Sequence, residues 1–361
     1  PGYYENYLKD ENILCQFTAT ERCGVHRYIF PKGSDKNIIL KITNTIGDFK
    51  ANDGQVKILS KNKEIEGSVR TYGSFARRND GIQVYFVTRF DQPFSFGIWD
   101  GQVFREGLDR AKSDSLKLNL NFKNETVNVK VGISYVSIEN ARLNLDSETG
   151  PSTFEEILCT AKNKWESKLT LIEIEGGTHD EKIVFYSALY RSFQMPTTFN
   201  DVNGQYIGFD NKVQQTSNYI YYTDMSLWDT FRTVHPLYNL IAQKEQRDML
   251  VSLVNMAEQG GSLPRWPMGH GYSNSMLGSP ADMVIAESYL KGIRDFDVEL
   301  AYKYMKKTAL GPLPKNTRAS GRRGISGYLE YGYCPTEFGD RAVSQTLEYA
   351  WADHSISLFA K

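Results

Sequence analysis

The sequence predicts an antiparallel β-sandwich followed by a helical domain of toroid type, and three observations carry that prediction. Up to about residue 150, short apolar alternations recur between Gly, Asn, Asp and Lys turns. No helical pattern separates them, which excludes a doubly wound parallel fold. Beyond residue 150 the apolar period switches to 3.6. The alternations predict strands over 37–42, 55–59, 82–90, 94–99, 116–122 and 127–136. In the strand over 82–90, Val84, Phe86 and Thr88 fall on one face and Gln83, Tyr85 and Val87 on the other. Two sheets packed face to face are the expected result.

Helical signals begin at Ser152 with Glu155 and at Thr178 with Glu181, both of which fit a reciprocal capping box. In the second helix Phe185, Leu189 and Phe193 form one stripe, and Pro196 stops it. Further helices are predicted over 226–243, 245–259, 279–291, 297–309 and 341–360. Ser279-Pro280 makes an entry, and Gly260-Gly261 and Gly292 make exits. Consecutive helices with short connections fit stacked antiparallel pairs, in a toroid or a solenoid, and no fixed repeat favours the solenoid. The change of period near residue 150 is the expected boundary between the sandwich and the helical part.

Composition narrows the function. The 42 basic residues nearly cancel 43 acidic ones, for a net charge of -1, which argues against nucleic-acid or acidic-membrane partners. No apolar run approaches the ~18 residues that span a bilayer, and no basic-then-apolar leader opens the chain at Pro1. Aromatic residues are 13% of the chain, with 22 Tyr, 19 Phe and 5 Trp; such rings suit polar, ring-shaped ligands, of which carbohydrate is one. Cys15, Cys23, Cys159 and Cys334 lack the paired spacing of a zinc site. They read as plain thiols, with a Cys15–Cys23 bridge left open.

The densest chemistry runs from Tyr219 to Arg232, and within it Trp228 stands beside Asp229 at a predicted helix start. An indole covers the C–H face of a pyranose while a carboxylate accepts from two neighbouring hydroxyls. The alternative is that Asp224 and Asp229 cap the helix and Trp228 is core. A second cluster, Gly261 to Asn274, is a Gly- and aromatic-rich loop of the kind that carries specificity residues. His235, before Pro236, has no metal-like neighbours and reads as packed or hydrogen-bonded.

The run Asp224-Met225-Ser226-Leu227-Trp228-Asp229-Thr230-Phe231-Arg232, with His235-Pro236-Leu237 behind it, resembles the signature of the family 92 glycoside hydrolases, which are exo-acting α-mannosidases. Five further segments fit the family in the same order: Pro1-Gly2-Tyr3-Tyr4, Thr20-Glu21-Arg22-Cys23-Gly24-Val25-His26-Arg27-Tyr28, Tyr289-Leu290-Lys291-Gly292-Ile293, Tyr331-Gly332-Tyr333-Cys334-Pro335 and Ser344-Gln345-Thr346-Leu347-Glu348-Tyr349-Ala350. The resemblance implies a β-sandwich over 1–150 joined by a helical linker over 151–200 to the first part of an (α/α)6 catalytic toroid over 201–361, with the active site at their interface and a bound calcium ion. It implies removal of terminal α-mannose with inversion by a general acid, a general base and water, from mannose-containing glycans in an extracytoplasmic compartment. Inversion needs the two carboxyl groups roughly 6.5–9.5 Å apart. Carried over, Trp228 and Asp229 fall where the family recognises the terminal mannose.

The family's acid lies in a Thr-Glu-Gly-Asn run and its base in a Gly-Asn-Glu-Asp run, and neither occurs in residues 1–361. The chain is therefore expected to be an internal piece with an incomplete sandwich, a partial toroid, no catalytic carboxylate of its own and calcium ligands outside it. Unpaired apolar helix faces are the expected consequence. Pro267, Ser275 and Pro280 stand where many relatives carry Glu, Cys and His, which weakens any assignment of linkage. The competing readings are a sugar phosphorylase or another inverting glycosidase of the same architecture, and a non-catalytic carbohydrate-binding protein.

Overall fold

The computed structural model describes residues 1–47, 49–73, 76–338 and 340–361. The chain forms two compact units, Pro1–Tyr190 with Asp201–Gln205, and Arg191–Asn200 with Tyr206–Lys361.

In the first unit the strands are β1 (Tyr4–Leu8), β2 (Ile13–Ala19), β3 (Cys23–Ile29), β4 (Asn37–Lys41), β5 (Ala51–Leu59), β6 (Glu64–Thr71), β7 (Ile82–Phe90), β8 (Phe94–Asp100), β9 (Val103–Glu106), β10 (Arg110–Ser113), β11 (Leu116–Phe122) and β12 (Thr126–Ser134). Among the described residues they build an eight-stranded sheet, β1-β2-β3-β12-β7-β6-β5-β10, and a four-stranded one, β4-β11-β8-β9. Every pairing is antiparallel. The two sheets enclose one apolar core, with Ile65, Phe86, Phe90, Val127 and Val129 from the larger and Ile98, Leu116, Leu118 and Leu120 from the smaller. The sandwich predicted from alternation is thus present, and the split of β7 into two faces holds, because Phe86 enters this core while Val87 and Tyr85 pack on the other side.

That other side is covered by a helix the alternation did not reveal. Helix α1 (Ile138–Thr149) starts at Ser137, whose hydroxyl accepts the Asn140 N–H at 3.1 Å, and it corrects the reading of 1–150 as sheet alone. Its buried face holds two hydrophobic residues, Ala141 and Leu145, and is otherwise polar. Asn140 and Asn144 are buried there because their amides donate to the Asp201 carboxylate, each at 2.7 Å. An apolar periodicity therefore never forms.

Helices α2 (Phe154–Leu169) and α3 (His179–Ser192) occupy the segment expected as a linker. The first capping box is one residue later than predicted. Thr153, not Ser152, accepts from the N–H of Glu156, and the Glu156 carboxylate accepts from Thr153 at 2.7 Å. This register lets Phe154 and Ile157 pack on Val25 of β3, and frees Glu155 to pair with Arg27. The Thr178–Glu181 box forms as expected. Cys15 and Cys23 are buried free thiols, which settles the open bridge against pairing.

Gly132 of β12 is the notch that seats α1. A Cβ there would lie 2.5 Å from the Ala141 carbonyl oxygen and 2.8 Å from Leu145 Cβ. Gly132→Ala is expected to destabilise the first unit by about 1–3 kcal/mol, because neither the helix backbone nor a core Cβ gives way cheaply. Urea unfolding of the purified chain measures this.

The second unit is helical, with α4 (Leu227–Thr230), α5 (Val234–Ile241), α6 (Gln243–Gly260), α7 (Pro280–Leu290), α8 (Val298–Leu310), α9 (Ile325–Tyr331) and α10 (Ala342–Phe359). The single helix expected over 226–243 is broken between α4 and α5. Pro236 lacks an N–H and is tolerated only in a first turn, so a new helix begins at Val234. Helix α9 was not foreseen. The remaining helices fall within two residues of their predicted ends, and Gly261, at φ 93°, closes α6. Along α10, Val343, Leu347 and Trp351 follow one another at four-residue spacing and are 75%, 67% and 51% exposed, an apolar stripe turned to solvent.

Candidate sugar-recognition site

The signature run is positioned by a short ladder. Residues Tyr222–Thr223 pair with Thr197–Thr198, and the Thr223 hydroxyl donates to the Gly269 carbonyl at 2.6 Å. Asp224 turns the chain in the left-handed conformation, φ 57°, which Asp tolerates better than most residues. Its carboxylate accepts the Gly269 N–H at 2.9 Å. Burial pushes the Asp224 carboxyl above the usual carboxylate range, and the Gly269 amide and Thr197 pull it back. Asp224 thus ties the Gly-rich loop to the signature run and does not cap α4.

That tie brings two distant residues to the predicted pair. Trp266 Nε1 donates to Ser226 Oγ at 2.6 Å, and the Ser226 hydroxyl donates to the Asp229 carboxylate. From α10, Glu348 accepts from Trp228 Nε1 and from Arg232, both at 3.3 Å. The Arg232 guanidinium lies 5.1 Å from the Trp228 ring centre. Glu348 approaches this closely because residue 278 is glycine: a Cβ there would lie 2.8 Å from Glu348 Oε2. Asp229 is exposed and Trp228 half-buried, while their neighbour Leu227 is fully buried. The core role weighed for Trp228 therefore falls to Leu227.

The arrangement is two indoles and two carboxylates, each with its orientation fixed by a neighbour. Asp229 has one oxygen engaged by Ser226 and retains acceptor sites for hydroxyls. Trp266 and Glu348 were not singled out as site residues from sequence, although both lie in runs that drew attention. What links them to Trp228 and Asp229 is tertiary and has no local signal.

Among the described residues, no three His, Cys, Asp or Glu side chains gather where they could hold a metal ion. Glu348 Oε2 is buried without a partner, but its carboxylate already faces the Arg232 guanidinium. These residues do not fit a calcium site by themselves.

A buried charge network joins α7, α10 and the segment before α9. Arg322 donates to Ser279 Oγ at 3.1 Å, to Asp353 at 2.6 Å and to Asp282 at 3.3 Å, and its guanidinium lies 5.0 Å from the Tyr349 ring centre. Burial pushes the Asp282 carboxyl up, against the pull of Arg322. His235 is buried and hydrogen-bonded to Gln246 Oε1 at 2.9 Å, as its isolation in the sequence indicated. Burial depresses it to about 4 from its ordinary 6.5. Between those values the unfolded chain binds a proton that the folded chain refuses, so His235 is expected to lower stability as pH falls from 6.5 towards 4, and to have no effect above 6.5. The loss amounts to about 3 kcal/mol. Urea titrations of wild type and His235→Gln across this window measure it, the variant losing that part of the slope.

Residues 140–361 match the glycosyl hydrolase family 92 catalytic domain, and residues 1–134 match the N-terminal domain of the same family. A protein of Arthroderma benhamiae described as a secreted glycosidase is 25% identical over 396 residues, covering 100% of this chain and 46% of its own length. Among solved structures, a family GH92 inverting mannosidase from Bacteroides thetaiotaomicron is 26% identical with a TM-score of 0.91, over 100% of this chain and 48% of that one. A GH92 α-mannosidase from the same organism, in complex with mannoimidazole, is 26% identical with a TM-score of 0.90, over 100% of this chain and 47% of that one. The chain thus spans about half the length of the relatives it matches.

Proposed function

The chain belongs to glycosyl hydrolase family 92, and from that premise we propose that it grips the terminal α-linked mannose of a glycan for calcium-dependent hydrolysis with inversion. The observation that carries the reading is the pairing of a half-buried Trp228 with an exposed Asp229, each held by a hydrogen bond from or to a second residue. In this reading the Trp228 ring covers the C–H face of the mannose and Asp229 accepts from two neighbouring hydroxyls. Trp266, through Ser226, sets the angle of Asp229, and Glu348 sets the tilt of the indole. Fixed orientation of this kind reduces the ordering cost of binding.

In this proposal the acid and base come from residues beyond this chain, as do the calcium ligands, since neither motif run is present and the side chains here do not gather around a metal. When bound, calcium would supply polarisation of vicinal sugar hydroxyls. The proposed compartment is extracytoplasmic, in keeping with the secreted relative. No described helix is long and apolar enough to cross a membrane.

The test is titration of the chain with methyl α-mannoside, followed by indole fluorescence and repeated with Trp228→Ala and Asp229→Ala. Binding that either substitution abolishes supports the reading. Wild-type-like binding by both variants overturns it. Hydrolysis of an aryl α-mannoside by residues 1–361 at rates typical of an enzyme, a kcat of about 10 s⁻¹, would show that the acid and base have been misplaced.

A further inference from the structure

The second unit holds a cleft of about 460 Å³ that shares no residue with the Trp228 cluster, a volume in the range of small-molecule sites. One wall is a face of α6, where Arg247, Val251 and Asn255 follow at four-residue spacing. The other walls are the loop that carries Ser217 and Tyr219 and the loop Arg294, Asp295, Phe296. Arg247 pins all three walls together. Its guanidinium donates to the Asn218 carbonyl at 3.1 Å, to the Asp295 carbonyl at 2.9 Å and to Asp248 at 2.7 Å, and it pairs with the Asp295 carboxylate at 3.0 Å. Asp248 is buried and its other oxygen accepts the Ile220 N–H at 3.0 Å. The cleft is therefore formed in advance and not a gap between loose loops.

Charge and surface chemistry indicate what fits. The lining cations are Arg247 and Arg294, and the carboxylates against them are Asp248 and Asp295, so the site has no net charge to attract an anion. Arg247 is already committed to its four partners. Arg294 lies over Tyr289, 4.8 Å from the ring centre, a contact through the guanidinium face that leaves N–H edges to donate. Asn255 donates its amide N–H to the Tyr219 hydroxyl at 2.9 Å, and that hydroxyl in turn lies 3.5 Å from the Tyr206 hydroxyl, which leaves the Asn255 amide oxygen as an acceptor. Phe296 and Val251 add apolar surface. Donors, acceptors and an aromatic ring in a neutral cleft match a polyhydroxylated ring with an apolar C–H face.

We propose that this cleft is a second sugar-binding site, which holds a pyranose independently of the Trp228 cluster. The geometry stands apart from the Trp228 reading, and only the choice of mannose as probe rests on it.

The test is two-dimensional NMR of the deuterated, amide-labelled chain titrated with methyl α-mannoside and with an α-mannobiose, with inorganic phosphate as control. Shifts at 215–219, 294–296 and the Asn255 side-chain amide, saturating with a Kd of about 1–10 mM, are the expected result. Ser217→Trp, at an exposed loop position, fills the cleft without removing a wall and is expected to weaken these shifts at least about tenfold. Asp229→Ala is expected to leave them unchanged. Absence of the shifts, their persistence in Ser217→Trp, their loss in Asp229→Ala, or larger shifts with phosphate than with sugar would each overturn the proposal. Shifts at this cleft with none at Trp228 and Asp229 would support it while the terminal-mannose reading fails.

Discussion

Asp229→Ala is expected to lower kcat/KM of the catalytically competent enzyme for an α-mannoside by about 100-fold or more, equal to about 2.7 kcal/mol of transition-state binding. The size follows from what the side chain offers. Hydrogen bonds to an ionised acceptor are roughly twice as strong as neutral ones, and two neighbouring hydroxyls that lose their acceptor are left to a site that cannot replace it. The supporting residues should show a graded effect. Trp266→Phe keeps an aromatic ring but loses the Nε1–H that holds Ser226, along with part of the indole's bulk, so Asp229 stays in place but less firmly oriented, and a loss of about tenfold is expected. Steady-state kinetics on the pair separates the two roles: a change under about threefold for Asp229→Ala removes it from sugar recognition. Equal losses for both variants would mean that the carboxylate acts only through its orientation.

How much of this could be read in advance depended on whether the physics was local. Strands β7 and β11 were bounded correctly because both alternate cleanly and both supply the sandwich core, through residues such as Phe86 and Leu118. Strands β2 and β3 were missed because their alternation is carried by mixed residues, among them Cys15, Cys23, His26 and Tyr28. Helix α1 was missed because its buried side is amide and not hydrocarbon, which depends on Asp201, a residue 57 to 61 positions away. The candidate site divides in the same manner. Trp228 and Asp229 are adjacent in sequence, so an indole beside a carboxylate was visible as chemistry. Trp266 reaches Ser226 across 40 positions and Glu348 reaches Trp228 across 120, and no spacing rule covers contacts that the fold alone creates. The capping boxes lie between these cases: the signal at Thr178 was sufficient, whereas at 152–156 two overlapping boxes were possible and packing of Phe154 on Val25 decided between them.

Removing the buried Arg322 charge is expected to have the largest effect on stability. Arg322→Leu leaves Asp282, fully buried, without its cation, removes the donor to Ser279 Oγ, and leaves Asp353 with the Tyr328 hydroxyl alone. Breaking a buried pair from one side costs about 3–5 kcal/mol, because the remaining charge keeps its desolvation penalty and loses its compensation. The pair as a whole need not stabilise the fold: a double replacement, Asp282→Leu with Arg322→Met, is expected to recover most of that loss, since apolar groups of similar volume carry no such penalty. The pH dependence of the single variant distinguishes this cause from simple loss of packing. Without Arg322 the Asp282 carboxyl is raised further above its unfolded value, so the folded state holds a proton that the unfolded state releases. Relative to wild type, the Arg322→Leu variant should therefore become more stable as pH falls towards the ordinary Asp range and less stable as pH rises. Denaturant unfolding of wild type, single and double variants at several pH values measures both effects. A loss below about 1 kcal/mol in the single variant, or one that does not change with pH, would show that Arg322 stacks on Tyr349 without neutralising a buried charge.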